Sequence, residues 1–171
     1  MTWYAVYTLP RAEKKAYAEL VSKGIGAYLP LLRTLKQWSD RKKWVEEPLF
    51  RSYIFVNIPQ SLYFDVLNTQ GVVRYITFEG KAVPVPEKQI EAIRYYLADE
   101  SIGADLPLAS ARNLYTPGQT VEVIKGPLTG LTGELTGITG KHKVRIEITA
   151  IGQSILVTIP MAHLEVVKSA K

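Results

Sequence analysis

Residues Phe50 to Ile58 read Phe-Arg-Ser-Tyr-Ile-Phe-Val-Asn-Ile. The run is aromatic and β-branched, which suits a pleated strand. Strand alternation sends Phe50, Ser52, Ile54, Val56 and Ile58 one way, and Arg51, Tyr53, Phe55 and Asn57 the other. Both faces carry large apolar groups, which predicts a central strand. Pro48 and Pro59 flank it, where neither removes an interior hydrogen bond. One face must meet helices. The other shows Tyr53 and Phe55 beside Arg51, a surface suited to a partner, although the strand alone is equally compatible with both aromatics being core.

Composition sets the bounds. The chain has 171 residues, enough for one domain or two small ones, with 47% hydrophobic and 22% charged residues. No apolar run reaches the ~18 residues of a membrane span. Cysteine is absent, which excludes disulfides and thiolate metal sites. The chain opens on a strand pattern at Trp3 without a secretory leader pattern, so the expectation is a cytoplasmic protein with no membrane association. The net charge of +5 is uneven: nine Lys and Arg against three acids give Arg11–Lys43 a net of +6. That concentration points to a polyanion, against the plainer alternative of a solvated surface.

Outward from the central strand, Trp3–Thr8 alternates as a strand and Arg11–Lys23 has a helical stripe of Ala12, Ala16, Tyr17, Leu20 and Val21. Gly24 suits the left-handed residue after that helix. Ala27–Leu32 reads as a second strand. Thr34–Glu47 fits a hairpin with its tip near Ser39-Asp40, stiffened by cross-strand pairing of Trp38 and Trp44. Its interleaved Lys36, Arg41, Lys42 and Lys43 suit nucleic-acid contacts, as do Arg11, Lys14 and Lys15 of the helix. A short helix over Ser61–Asn68, strands over Val72–Phe78 and Ala82–Val85, and a helix after Pro86 bearing Ile90, Ile93 and Leu97 complete an α+β pattern. The expected architecture is a largely antiparallel sheet covered by helices. Asp99–Leu114 keeps no period and reads as a flexible linker. Tyr115–Val167 is rich in Thr, Gly, Ile and Val and reads as a small SH3-like β-barrel.

The run from Gly118 to Leu135 resembles a KOW motif, carried by Gly118, Val121, Val123, Gly126, Pro127, Gly130 and Gly133. Val121 and Val123 suit the barrel core, Gly126-Pro127 a turn, and Gly130 and Gly133 a backbone path with no room for a Cβ. The N-terminal half adds Trp3-Tyr4-Ala-Val-Tyr7 before a basic helix, then Pro48-Leu-Phe-Arg-Ser-Tyr-Ile-Phe-Val, then Gly71-Val-Val-Arg. Together these resemble the NusG family of transcription elongation factors over essentially the whole chain. The resemblance implies an N-terminal NGN domain at 1–99, a linker at 100–114 and a KOW barrel at 115–171. Within the family, Arg51-Ser52 stand where housekeeping members usually carry Pro-Gly. The run from Gln37 to Ser52 resembles specialised antiterminators of the RfaH and UpxY type, which act on long surface-polysaccharide operons.

The same resemblance implies a monomeric, non-enzymatic factor that suppresses pausing or termination. Such a factor binds the clamp helices of RNA polymerase, here through Trp3, Tyr7, Phe50, Tyr53, Ile90 and Ile93. Phe50 and Tyr53 fall on opposite faces of a regular strand, so a bulge is needed if both contribute. The resemblance further implies that Arg11 and the other cations meet non-template DNA, and that the KOW domain recruits a ribosomal protein or a termination factor. The barrel is expected to be β in the intact chain, leaving the polymerase patch exposed.

No catalytic or cofactor reading survives. His142 and His163 lack the spacing of a metal pair, and Gly140-Lys141-His142 lacks the hydroxyl residue of a phosphate loop. The alternative is a KOW-containing, ribosome-associated or RNA-binding translation module. The net charge of only +2 over Tyr115–Lys171 argues for a protein partner instead.

Overall fold

Backbone hydrogen bonding in the central sheet radiates from β1 (Thr2–Thr8). On one side β1 pairs antiparallel with β5 (Tyr53–Ile58), and β5 with β2 (Gly26–Tyr28). On its other side lie β6 (Val72–Tyr75) and β9 (Pro84–Val85), both antiparallel. The hairpin of β3 (Leu31–Gln37) and β4 (Lys42–Pro48) forms its own ladder, as does the small one of β7 (Thr77–Phe78) and β8 (Lys81–Ala82). The computed structural model describes residues 1–99, 118–139 and 141–167. The expected linker at 100–114 therefore lies outside the described residues, as do Tyr115 and Gly140. The chain divides into two compact units, Met1–Pro86 and Glu87–Lys171.

In the first unit, α1 (Glu13–Ser22) lays Ala16 and Leu20 on the sheet face formed by Val6, Ile54, Val56 and Ile58, with Val66 of α2 (Tyr63–Leu67) beside them. All these side chains are buried. Val21, expected in the helical stripe, is instead exposed, and the buried residues of α1 are Glu13, Ala16 and Leu20. The helix ends on Gly24 at φ 74°, where the Gly24 N–H donates to Val21 O at 2.9 Å and the Ile25 N–H to Leu20 O at 3.0 Å. This Schellman closure lets Ile25 fold back into the core. Tyr75 stacks on Tyr63 with ring centroids 4.1 Å apart, and its hydroxyl donates to the Tyr63 carbonyl at 2.9 Å. Burial pushes its phenol far above the ordinary range, so it stays protonated and a donor.

Three expected elements change. The central strand starts at Tyr53 instead of Phe50, because Ser52 adopts φ 66° and breaks the pleat. The expected strand Ala27–Leu32 divides between β2 and β3 at Leu29-Pro30, where proline offers no N–H to the ladder. Trp38 and Trp44 do not pair: Trp44 stands opposite Leu35, and the Trp38 N–H closes the tip on Arg41 O at 2.8 Å.

The second unit opens with α3 (Glu87–Ala98), which the sequence pattern groups with the first. It continues through β10 (Thr120–Val123), β11 (Thr132–Thr139), β12 (Lys141–Ile148), β13 (Gln153–Ile159) and β14 (Leu164–Val166). The antiparallel order is β13-β12-β11-β10-β14. Val121 and Val123 are buried, as the alternation predicts, and so are Leu135, Val144, Ile146, Val157 and Ile159. α3 packs on β12 and β13, with Gln89 Oε1 accepting the Thr149 N–H at 3.2 Å.

Of the motif glycines, Gly133 is the one fixed by space. A Cβ there would stand 2.7 Å from the Arg145 carbonyl oxygen and 2.6 Å from Val144 Cγ1. Gly133→Ala is expected to destabilise the second unit by about 1–3 kcal/mol, the usual cost of overpacking. Urea unfolding of the intact chain checks this, and an unchanged midpoint would contradict it.

Candidate functional site

Strand alternation leaves Trp3, Ala5 and Tyr7 of β1, with Tyr53 and Phe55 of β5, on the sheet face opposite α1. Tyr7 and Tyr53 are direct cross-strand partners, and their rings meet edge to face at 5.8 Å. Phe50 closes edge-on against Phe55 at 6.2 Å. The turn before β5 thus removes the opposite-face problem: Phe50 packs on a ring that shares its face with Tyr53. The Arg74 guanidinium covers the Tyr7 ring at 5.5 Å, a residue missed as a site member although it ends the Gly71-Val-Val-Arg motif. Of the six residues expected in the apolar patch, Tyr7 and Tyr53 are brought into contact and Phe50 packs beside them on Phe55, while Trp3 lies further along the same face opposite Asn57. Ile90 and Ile93 lie on α3 in the second unit. Phe50, Ile90 and Ile93 are buried, which corrects the expectation of a fully open patch; Trp3, Tyr7 and Tyr53 are half-buried.

A second feature adjoins the start of α1. Pro10, Arg11, Glu13, Lys14, Lys36, Glu46, Glu47, Arg51 and Ser52 line a cleft of about 600 Å³. Its rim rests on two left-handed residues, Arg11 at φ 62° and Ser52 at φ 66°. Glu13 is buried and accepts the Ser52 N–H on Oε1 at 2.9 Å, while Ser52 O accepts the Thr8 N–H at 2.8 Å. Lys14 Nζ donates to the Glu46 carbonyl at 2.7 Å, tying α1 to the hairpin. Lys36 pairs with Glu47 and holds that carboxyl below its ordinary value. That exposed pair's small contribution is present at neutral pH and fades as the pH falls through the depressed value. Arg11 and Arg51 have no ion pair among the described residues. Arg51 was missed as a candidate because strand alternation alone does not reveal the turn that swings it into this cleft.

Lys14 and Lys36 thus line the cleft with Arg11, whereas Arg41, Lys42 and Lys43 lie at the exposed outer end of the hairpin. Lys15 is exposed on α1 away from the cleft lining. Among the described residues no group of three or more His, Asp or Glu is placed to hold a metal, and no helix is long and apolar enough to cross a membrane.

Comparisons with known proteins agree over most of the chain. Residues 1–94 match the sequence profile of the family described as "NusG: Transcription termination factor nusG". The chain is 25% identical over 180 aligned positions to a "Transcription termination/antitermination protein NusG" of Thermus thermophilus, covering 95% of this chain and 96% of that protein. It is 24% identical over 176 positions to the protein of the same name from Pseudomonas aeruginosa, with 95% and 97% covered. A solved structure described as "Domain interaction in Thermotoga maritima NusG" superposes with a TM-score of 0.54 at 21% identity, covering 98% of this chain and 97% of that one. That likeness establishes the mixed α+β fold.

The cleft geometry makes a direct prediction. Glu13→Ala strands the Ser52 N–H and is expected to cost about 1–3 kcal/mol. Ser52→Gly relieves a left-handed serine and is expected to be neutral or to stabilise by up to about 1 kcal/mol. Thermal unfolding of both variants checks this; a destabilised Ser52→Gly protein would contradict it.

Proposed function

The chain belongs to the NusG family of transcription termination factors, a family of transcription factors and not of enzymes, and from that premise we propose that it is an elongation and antitermination factor that binds RNA polymerase through the aromatic face of its first unit. The observation that carries this is the edge-to-face contact of the half-buried Tyr7 and Tyr53 rings on the sheet face opposite α1, with Trp3 further along that face and the buried pair Phe50 and Phe55 beside them. Clustered aromatics of this kind supply most of the energy of a protein interface. Ile90 and Ile93 of α3 are wholly buried and so are not offered by this face as exposed contacts.

In this reading the first unit bridges the polymerase clamp. Arg11, Lys14, Lys15, Lys36, Arg41, Lys42 and Lys43 face the displaced non-template strand. The organisation is an NGN domain at 1–99, a linker at 100–114 and a KOW barrel at 115–171 that recruits a second protein, with the whole acting as a cytoplasmic monomer. Arg51-Ser52 supports a specialised member of the RfaH and UpxY kind, serving long operons such as those for surface polysaccharides. Ser52 occupies a left-handed position that glycine fills without strain, and Arg51 adds a cation to the cleft.

Tyr7→Ala combined with Tyr53→Ala is expected to lower co-purification with core RNA polymerase at least tenfold while the chain stays folded. Those two rings are half-buried, so the core survives their loss. Undiminished polymerase capture by the folded double variant would overturn the assignment. Capture of ribosomes in place of polymerase would support the translation-module alternative.

A further inference from the structure

The hairpin of β3 and β4 carries a feature that the polymerase reading leaves unused. It forms a sheet of its own, and its outer half holds Trp44, 55% exposed, directly opposite Leu35, 49% exposed. Neither side chain belongs to the first unit's buried core. The Arg33 guanidinium lies 4.9 Å from the Trp44 ring centroid, so one face of the indole carries a cation. The ladder register puts Arg33, Leu35 and Gln37 on the same face as Lys42, Trp44 and Glu46. Lys36 and Lys43, a direct cross-strand pair, occupy the opposite face. Trp38 sits at the tip, with Arg41 5.7 Å from its ring centroid.

We propose that Trp44 is a stacking platform for an unpaired base of single-stranded nucleic acid, with Arg33 and Lys42 neutralising the flanking phosphates. Trp44 is not paired with Trp38: its cross-strand neighbour is Leu35 and the Arg33 guanidinium lies over its ring, which still leaves the indole more than half exposed. Charge selects the occupant. From Leu31 to Pro48 the hairpin carries five Lys and Arg against Asp40, Glu46 and Glu47; Glu46 stands opposite Arg33 and Glu47 pairs with Lys36, which leaves Arg41, Lys42 and Lys43 without an ion pair among the described residues. An exposed indole close to the unpaired cations of the hairpin's outer end suits a polyanion with accessible π-faces, because stacking works with any base and the cations follow the backbone. A guanidinium already seated on one side leaves the ring to be sandwiched between cation and base. A protein partner would need acids to meet the same cations.

The inference deepens the proposed non-template contact and rests on it for its setting, but its test needs no polymerase. The full-length protein is titrated with a twelve-nucleotide oligo-dT and with a duplex of equal length, read by anisotropy of the labelled oligonucleotide and by quenching of tryptophan fluorescence. The wild-type chain is expected to prefer the single strand and to be quenched by it. Trp44→Leu is expected to lose about tenfold in single-strand affinity with an unchanged salt slope, whereas Trp44→Phe keeps most of the affinity. Lys42→Gln is expected to make the salt slope shallower. Far-UV circular dichroism confirms that each variant is folded. The proposal is overturned if Trp44→Leu binds the single strand like wild type, if duplex and single strand bind alike, or if no binding to the oligonucleotide is detected. It is also overturned if Trp44→Leu abolishes polymerase capture without changing oligonucleotide binding, which would make the ring a protein anchor. Failure of the Tyr7 and Tyr53 variants to affect polymerase capture, with the oligonucleotide results as expected, overturns the polymerase reading alone.

Discussion

The first unit depends on one buried carboxylate. Glu13 starts α1 and accepts the Ser52 N–H, while the Ser52 carbonyl accepts the N–H of Thr8 at the end of β1. A left-handed serine is strained, and it persists here because α1 and β1 both hold it. The consequences spread outward. The turn delays β5 until Tyr53, so Tyr53 stands opposite Tyr7 and Phe50 tucks against Phe55. The same turn delivers Arg51 to the cleft beside Arg11. One hydrogen-bonded corner therefore shapes the aromatic face and the basic cleft together.

Much of this was legible in the sequence. The period-2 runs identified β1, β5, β10, β12 and β13, and Gly24 marked the end of α1 through its left-handed φ. What could not be read were features set by backbone turns and tertiary choice. Ser52 is not a residue that advertises positive φ, so the strand appeared to begin three residues early. Pro30 divides two strands that apolar content alone joins into one. The tryptophans were close enough in sequence to pair, but the register set by the tip places Trp44 against Leu35. The grouping of α3 with β12 and β13 rests on contacts such as Gln89 with Thr149, 60 positions apart, which no local period reveals.

The site was legible in its residue types more than in its geometry. Tyr7 and Tyr53 meet and Phe50 packs beside them, whereas Arg74, Arg33 and Arg51 become visible only through the rings and the cleft they face. The resulting surfaces differ in physics. Half-buried aromatic rings backed by a rigid sheet favour a shape-specific protein contact. The hairpin extends cations and an exposed indole into solvent, where long-range charge and sequence-tolerant stacking dominate. The proposed function, contact with protein and nucleic acid at once, calls on both kinds of surface.

The claim that the aromatic face meets polymerase is tested most directly by photocrosslinking. Benzoylphenylalanine placed at Tyr53 in the intact chain should crosslink to a large subunit of core RNA polymerase. The same probe at Val21, exposed on α1 on the other side of the sheet, should not. Crosslinking at Val21 with none at Tyr53, in a chain that still co-sediments with polymerase, would contradict the account.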